Sequence, residues 1–517
     1  MAGETAKSVR EKFDTLDSSR SSHLQRARKA SELTIPSLLP PEGHSEDTDL
    51  VEPYQSLGSR GVNNLAAKIM LALFPPGQKF FMLSPDDAIM EQLEKKMNIP
   101  PSEVKKKLSE DENRILKDIE TSNMRPQAYE AIRHLVACGN AMIFLPEKGG
   151  MKMFPLNQYV TRRDREGNHL ESIVWERLSP EVLDNNTKQA VGITDEQAEK
   201  NEVDVYTHIR LKGNKWRVSQ EINEKPVPNS RATYPKNKSA WVPLRWTANP
   251  GGNYGEGLAM ENIGDLRAYE GLQKSLLQLA ANSAKLIWLL SPNGHVRPRH
   301  FQNAENGEHI AGEEGDISAV QPDKAADLRA AIEQAGVIEG RLQQVFLLTS
   351  SIQRDAERVT ATEIQTMAQE LEDALGGVYS VLSQDFQLPV VNREIARLQK
   401  KNVIRTFPDG SVEPQITTGI EALGRGGDLK KLKAFLGDIV EFGPEIAAQR
   451  LNLDDLLTRL AAARGLDTTG LVKDREQMKQ ENRGQQMQQL IQEAGPDVVK
   501  QMADRQMGQG NQTGGSS

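Results

Sequence analysis

RVTATEIQTMAQELEDALGGVYSVLSQDFQLP, residues 358–389, predicts a long amphipathic helix that follows a short polar turn. Thr360 and Glu363 form a T-x-x-E capping box, because a threonine hydroxyl accepts an orphan backbone N–H while the glutamate reaches back to the cap. The helix is therefore expected to begin near Ala361. Apolar residues then recur every three or four positions and form one stripe: Ile364, Met367, Leu371, Leu375, Val378, Leu382 and Phe386.

Gly376 and Gly377 interrupt this helix near its middle. Each glycine costs about 1 kcal/mol relative to alanine in a helix interior. The pair therefore predicts either a kink or a very close neighbour, and both positions are assigned as a hinge. Pro389 is expected to limit the helix.

The patterns along the sequence predict an α+β, mainly α chain, and its composition is typical of elongated or multimeric proteins. A length of 517 residues suggests two to four domains, yet only 37% of residues are hydrophobic and 26% are charged. The net charge of -8 argues against a protein that grips nucleic acid through a general basic surface, because such binding depends on neutralising phosphates. A protein past which DNA merely slides is not excluded.

Cys138 is the only cysteine, so no intramolecular disulfide or cysteine-based zinc site is expected, and a reducing cytoplasm fits. The start of the sequence, MAGETAKSVREKF, has no apolar region of the secretory kind. No apolar run approaches the roughly 20 residues that span a bilayer. We therefore expect a soluble protein that is not secreted and has no membrane anchor.

Helices are predicted first, then a β region. Four helical patterns precede residue 151, at about 3–34 (a surface helix), 54–73, 101–122 and 135–142. Short apolar runs follow from Met151 to Trp246, separated by turn signals at 165–168 and 212–214, and predict antiparallel hairpins. GGNYGEG, residues 251–257, is then expected to be a flexible junction.

Two rod helices are predicted next, at about 258–290 and 324–350. They enclose a polar module, residues 291–321. Shorter helices are expected at 430–440 and 453–463, and the tail from Asp474 is expected to be helical at first and then disordered.

The search for catalytic motifs is negative. The sequence has no phosphate-binding G-x-x-x-x-G-K-[ST] loop, no H-E-x-x-H, no EF-hand loop and no G-x-S-x-G elbow. GNYGEG has the wrong spacing and context for a dinucleotide site. We therefore predict no catalytic residues, no cofactor and no metal. A magnesium-dependent nuclease that uses scattered carboxylates stays the enzymatic alternative.

The polar module carries the candidate docking residues His295, Arg297, Arg299 and His300. Paired arginines on a proline-stiffened loop suit carboxylate or phosphate partners, although a salt-bridged loop is as good an interpretation. His309 and nearby glutamates could extend these histidines into a metal site, but the spacing matches no standard one, and a solvated contact surface is favoured.

Arg354 and Arg358 flank the turn at 350–360. A cation there could meet a passing phosphate. Pairing with Asp355 and Glu357 is an equally good interpretation.

Four stretches together resemble the head-to-tail connectors, or portal proteins, of short-tailed podoviruses of the autographivirus kind. They are QSLGSRGVNNLAAKIMLALFP (55–75), DVYTHI (204–209), the stretch 358–389 and TTGIEALGRGGDLKKL (417–432). The likeness keeps its order from about residue 6 to 470. It implies a dodecameric ring at one capsid vertex, through which the genome is packaged and later ejected, without catalysis.

The resemblance also implies the wing, stem, clip and crown of an elongated portal fold. The expected divisions are a wing (1–257), stem helices (258–290 and 322–349) around a clip (291–321), a tunnel loop (350–360), a wing helix and return (361–426), a crown (427–473) and a tail (474–517). DNA-channel residues are then expected at Lys285, Ser350, Ser351, Arg354 and Arg358, and the clip residues named above become a docking surface.

The partners implied are double-stranded DNA, the terminase large subunit, tail adaptor and nozzle proteins, the major capsid protein, scaffolding protein and internal core or ejection proteins. The protein would be assembled in the host cytoplasm and reside in the virion. A ring multiplies the negative charge of each subunit, so DNA would slide instead of sticking. A non-catalytic cytoplasmic scaffold or adaptor is the alternative.

Overall fold

A computed structural model of the chain describes residues 8–417, apart from 46, 87–100, 200–201, 248, 284–286, 314, 321–324, 349–360, 376 and 408–410, and also residue 437. The chain divides into two compact units, Met1–Leu423 and Gly424–Ser517. The predicted crown and tail therefore fall almost entirely outside the described residues.

Four helices begin the described chain: α1 (Val9–Glu32), α2 (Leu57–Leu73), α3 (Pro101–Thr121) and α4 (Met124–Cys138). Helix α1 starts at a capping box formed by Ser8 and Glu11. One face of this surface helix is buried, through apolar residues such as Phe13, Leu24 and Ala27, while its other residues are exposed or half-buried.

The prediction of a helix at 135–142 is wrong beyond Cys138. Helix α4 ends at Cys138, where Gly139 adopts a left-handed conformation, and the following apolar residues form a strand. A short apolar run fits either a buried strand or a buried helix, so its periodicity could not decide. Cys138 is fully buried, as its apolar neighbours indicated.

The antiparallel β region is confirmed as two sheets. The smaller sheet orders its strands β10-β2-β3, and the larger one orders them β4-β5-β6-β7-β8, with β9 also paired to β7. The strands are β2 (Asn140–Phe144), β3 (Lys152–Phe154), β4 (Tyr159–Arg163), β5 (His169–Leu178), β6 (Val203–Lys212), β7 (Lys215–Ile222), β8 (Lys225–Pro226), β9 (Ala232–Pro235) and β10 (Trp241–Arg245). Both predicted hairpin turns are present, between β4 and β5 and between β6 and β7. Two short helices, α5 (Asn185–Val191) and α6 (Asp195–Glu199), lie between β5 and β6.

The expected flexibility of residues 251–257 is wrong. The side chain of Asn140 bonds both the N–H and the carbonyl of Gly255, and the hydroxyl of Tyr254 accepts from the backbone N–H of Thr161 at 3.0 Å. A Cβ on Gly257 would lie 2.6 Å from the backbone nitrogen of Gly139. These glycines therefore serve close backbone packing and not mobility.

The helix pair is present, but its first helix is shorter than predicted. Helices α7 (Leu258–Glu261) and α8 (Ile263–Ser283) precede a strand, β11 (Ile287–Leu290), where the apolar pattern predicted a helix to 290. Strand β11 pairs with β12 (Ile317–Val320), and helix α9 (Pro298–Asn303) lies between them in sequence. Helix α10 (Ala325–Val345) completes the pair.

The stretch at 358–389 is helical but broken. Helix α11 (Ala361–Leu375) begins where expected, although Thr360 lies outside the described residues. Gly377 has φ +91°, helix α12 (Val378–Leu382) follows, and a π-helical turn (Ser383–Gln387) joins α13 (Leu388–Lys400). Pro389 does not end the helix as predicted. It occupies the first turn of α13, where its missing N–H does no harm.

One large apolar core joins these elements. Buried side chains of α2, α4, β2, α10, α12 and the π-helical turn all belong to it. Strands β1 (Phe81–Pro85) and β13 (Val412–Ile416) pair across the chain and close it. Helix α2 lies centrally, because it packs on α4, α10 and α11.

Candidate functional site

The helix pair is tied together along one side. Tyr269 on α8 donates its hydroxyl to Glu339 on α10 at 3.1 Å, and Arg341 pairs with Asp265 at 3.6 Å. Between them the buried apolar side chains are Leu266, Tyr269, Ala335, Ile338 and Leu342. Burial raises the pKa of Tyr269, so its hydroxyl stays a donor. The two helices therefore form one packed unit.

Three large apolar side chains of the helix pair are uncovered in the single chain. Leu277, Ile332 and Val337 are each 54–55% exposed. Added Cβ atoms at Gly336 and Gly340 would meet open space. The helix pair therefore carries apolar surface that the single chain does not cover.

At one end of the pair, the polar module is ordered around Asp316. Its carboxylate accepts the backbone N–H of His295 at 2.9 Å and of Glu313 at 3.0 Å. These hydrogen bonds lower the pKa of Asp316. Trp288 and Phe301 meet edge to face at 5.3 Å between ring centroids. The loop that precedes α9 is thereby held in place.

All four predicted docking residues lie on this module, and all are exposed. His295 faces Glu313 at 3.7 Å, and Arg297 occupies the N-cap position of α9 without a capping hydrogen bond from its side chain. Within the residues that the structure describes, no carboxylate lies at ion-pair distance from Arg297 or Arg299. The module therefore offers guanidinium groups that an acidic or phosphorylated partner could engage.

At the other end, helix α2 holds the end of α10. Lys68 Nζ donates to the carbonyl of Leu347 at 2.8 Å, and Asn64 Nδ2 donates to the carbonyls of Phe346 and Leu347 at 3.2 and 3.1 Å. Gly61 makes room for Phe346, since an added Cβ would lie 2.6 Å from its Cγ. Burial lowers the pKa of Lys68, while Glu370 opposes that shift.

The end of α10 is itself a left-handed cap. Leu347 has φ +52°, and the N–H of Leu348 returns to the carbonyl of Gln343 at 2.8 Å. A cation against these last carbonyls also complements the helix dipole. This anchor immediately precedes residues 349–360.

The predicted channel residues Lys285, Ser350, Ser351, Arg354 and Arg358 lie outside the described residues, as does Gly376. The structure thus brings together only the docking residues of the predicted site. Sequence reasoning missed the anchor made by Asn64 and Lys68. The sequence carries one signal for this anchor, a single lysine inside the apolar run LAAKIMLAL, because a buried charge needs a partner.

In the described parts of the chain, no group of three or more His, Cys, Asp or Glu side chains is arranged to hold a metal ion. None of the described helices has both the length and the apolar composition of a membrane-spanning helix.

The model of one protein family, described as bacteriophage head to tail connecting protein, matches residues 6–472. The portal protein of Enterobacteria phage T3 is 38% identical over 474 residues, covering 90% of this chain and 88% of that protein. The portal protein of Escherichia phage T7 is 37% identical over 498 residues, covering 94% and 92%. Among solved structures, the neck of an empty gene transfer agent particle aligns with a TM-score of 0.36 and 11% identity, over 74% of this chain and 86% of that one.

The chain belongs to the family of bacteriophage head to tail connecting proteins. Its role is that of a portal protein, the connector between head and tail. The resemblance carried by residues 55–75, 204–209, 358–389 and 417–432 is confirmed.

Proposed function

We propose that copies of this chain form a dodecameric ring through which double-stranded DNA is packaged and ejected, with no catalytic step. The observation that carries the proposal is the helix pair of α8 and α10. It buries one face within the chain, leaves the large apolar side chains Leu277, Ile332 and Val337 uncovered and presents an exposed polar module at one end.

A neighbouring copy of the chain would cover the exposed apolar side chains of α8 and α10. A head-to-tail contact between different surfaces of identical chains closes into a ring when the rotation permits. Leu277, Ile332 and Val337 would then be removed from water, at roughly 25 cal/mol for each Å² of apolar surface buried. Gly336 and Gly340 would permit close approach of the neighbouring backbone.

The remaining divisions of the chain are proposed on the same basis. We assign residues 1–257 to the wing, 258–290 and 322–349 to the stem and 291–321 to the clip. Residues 350–360 become the tunnel loop, 361–426 the wing helix and return, 427–473 the crown and 474–517 the tail. Gly376 and Gly377 form the hinge, which the break between α11 and α12 supports.

DNA is proposed to pass between the stem helices and the tunnel loops. Arg354, Arg358, Lys285, Ser350 and Ser351 would face it. The acidic charge of the ring would prevent firm phosphate binding, so these few cations would make only brief contacts.

The clip is proposed to meet the terminase large subunit and later the tail adaptor and nozzle. His295, Arg297, Arg299 and His300 would supply the contacts. The wing would face the major capsid protein, scaffolding protein and internal core or ejection proteins. Assembly would occur in the host cytoplasm, before the ring becomes part of the virion.

Ring formation can be tested with Ile332→Ser combined with Val337→Ser. We expect closed rings from the unchanged protein in negative-stain images, and monomers from the variant with an unchanged Tm, because both side chains are exposed in the single chain. Val182→Ser is the control, since Val182 is 74% exposed but lies outside the helix pair. Monomers or open filaments of the unchanged protein at all concentrations would contradict the proposal.

The tunnel loop requires a separate test. Arg354→Ala combined with Arg358→Ala should leave ring assembly intact and change DNA packaging or retention. If assembly fails, the two arginines have a structural role.

A further inference from the structure

A group of four cations forms the end of the hairpin between β6 and β7. Arg210 lies directly opposite Arg217, and Lys212 lies directly opposite Lys215, so two rungs, separated by the Leu211–Trp216 pair, each bring like charges together. All four side chains are exposed. They lie on one face of the sheet, because residues two apart along a strand point the same way. We call these four residues the basic rungs.

The basic rungs have no counterion within the described chain. None of the four makes an ion pair with a described carboxylate. Glu171 lies opposite Arg210 in the sheet. Its carboxylate is already bonded to His208 at 2.7 Å and paired with Arg162 at 3.4 Å. Arg162, which is 57% exposed, adds a further cation beside the rungs.

The rest of the same sheet face is covered by helix α1. Phe13 packs edge to face on Tyr206, two positions before His208 on β6, with ring centroids 5.5 Å apart. Val160 and Ile173 complete this small core. Helix α1 and this small core therefore stop short of the basic rungs and leave them uncovered. Like charges directly opposite one another destabilise a strand pair. An anion bound to the basic rungs would therefore reduce the repulsion between the cations of β6 and β7.

We propose that the basic rungs bind the phosphate backbone of duplex DNA, outside the channel between the stem helices. The inference builds on the proposed function, because it assigns a second surface for the same DNA. Cations repeat about 7 Å apart along each strand and about 5 Å apart across the pair, which gives several phosphates a partner at once. Phosphate contacts carry no sequence information, so the binding is sequence-independent.

The charge of the whole chain makes this surface distinctive. With a net charge of -8, the protein has no general attraction for phosphate. Binding of DNA must then come from local groups. Four phosphate contacts predict that log K falls with log salt at a slope of about -3.6, an affinity loss of about 10²-fold between 50 and 200 mM salt.

The test uses the full chain in assembled form and a covalently closed circular duplex, which cannot thread through a preformed ring. Lys212→Glu combined with Lys215→Glu is compared with Lys29→Glu combined with Lys117→Glu, an equal charge change at exposed positions elsewhere. The first variant keeps like charges opposite each other, so the balance within the hairpin is preserved. We expect its affinity for the circle to fall about tenfold or more and its salt slope to lessen by about 2.

The expected control result is affinity within about twofold of the unchanged protein after correction for net charge. Equal losses in the two variants would overturn the proposal, because net charge alone would then explain them. So would loss of ring assembly in the first variant alone, which would assign the rungs to a neighbouring copy. An unchanged protein that forms rings but does not bind the circle would overturn this inference and leave the proposed function standing.

Discussion

The ammonium of Lys68 on α2 lies 2.8 Å from the carbonyl oxygen of Leu347, at the end of α10. Only 4% of Lys68 is exposed. The same helix α2 ends against residues that follow 349–360 in sequence, since Tyr379 donates its hydroxyl to the carbonyl of Ala72 at 2.9 Å. Helix α2 therefore contacts the chain on both sides of residues 349–360 in sequence.

Lys68→Met should lower the free energy of unfolding by about 1.5–3 kcal/mol, because a charge-assisted hydrogen bond to the last carbonyls of α10 is lost. Urea denaturation, followed through the unfolding transition of the unit Met1–Leu423, measures this free energy. Lys117→Met, at an exposed helical position, is the matched control and should change the free energy by less than about 0.5 kcal/mol. Equal effects from both substitutions would show that the Lys68 contact adds nothing.

Gly61→Ala should destabilise the fold by about 1–3 kcal/mol, because the new methyl group would overlap the ring of Phe346. Gly336→Ala is the control. Its methyl group meets open space on α10 and should stabilise a monomer by about 1 kcal/mol. Combining Gly61→Ala with Phe346→Leu should restore part of the loss, and a lack of any recovery would place the strain elsewhere.

Stability should fall on acidification partly through His134. Burial lowers the pKa of His134 to about 3, and its Nδ1 has no hydrogen-bond partner in the described chain. The unfolded chain, with a histidine pKa near 6.5, binds this proton more readily. Below pH 6.5 the free energy of unfolding should therefore decrease down to about pH 3, by at most about 1.4 kcal/mol per pH unit.

His134→Leu tests that dependence. The variant should be about 1 kcal/mol more stable at pH 7, since an unsatisfied buried nitrogen is removed, and its advantage should widen toward pH 4. His309→Leu, at an exposed position, controls for loss of an imidazole. A constant difference across this pH range would contradict the assignment.

Gly377→Ala should cost about 1–2 kcal/mol through backbone conformation alone, because φ is +91° and the added methyl group meets no neighbour within 4 Å. Gly377→Asn should cost less, since asparagine tolerates left-handed backbone. Thermal unfolding at matched protein concentration measures both. Similar losses for alanine and asparagine would indicate that the break needs something other than a left-handed residue.

Local signals in the sequence predicted several elements well. The start of α11 at Ala361 and the break at Gly377 follow from capping and glycine chemistry within a few residues. The end of α8 did not follow, because Ile287–Leu290 is apolar enough for either structure and becomes a strand only through pairing with Ile317–Val320. Pro389 was misjudged for a similar reason, as the first turn of a new helix accepts it.

The candidate site was predictable only in part. Composition and proline chemistry pointed to Arg297 and Arg299 as exposed groups, since their surroundings are polar. The anchor between Lys68 and Leu347 joins residues 279 positions apart. No local pattern specifies such a pair. The rigidity of residues 251–257 was missed because the same glycines serve mobile loops and tight backbone contacts.

The hydrogen bond from Tyr379 to the last turn of helix α2 has a consequence for folding during synthesis. The carbonyl of Ala72 accepts this bond from the hydroxyl of Tyr379, a residue 307 positions later in the sequence. At about 5–20 residues per second, a ribosome needs roughly 15–60 s to make that interval. During most of this time helix α2 has α4 to pack on but lacks α10 and α11, so the nascent chain exposes apolar surface until those late helices are made.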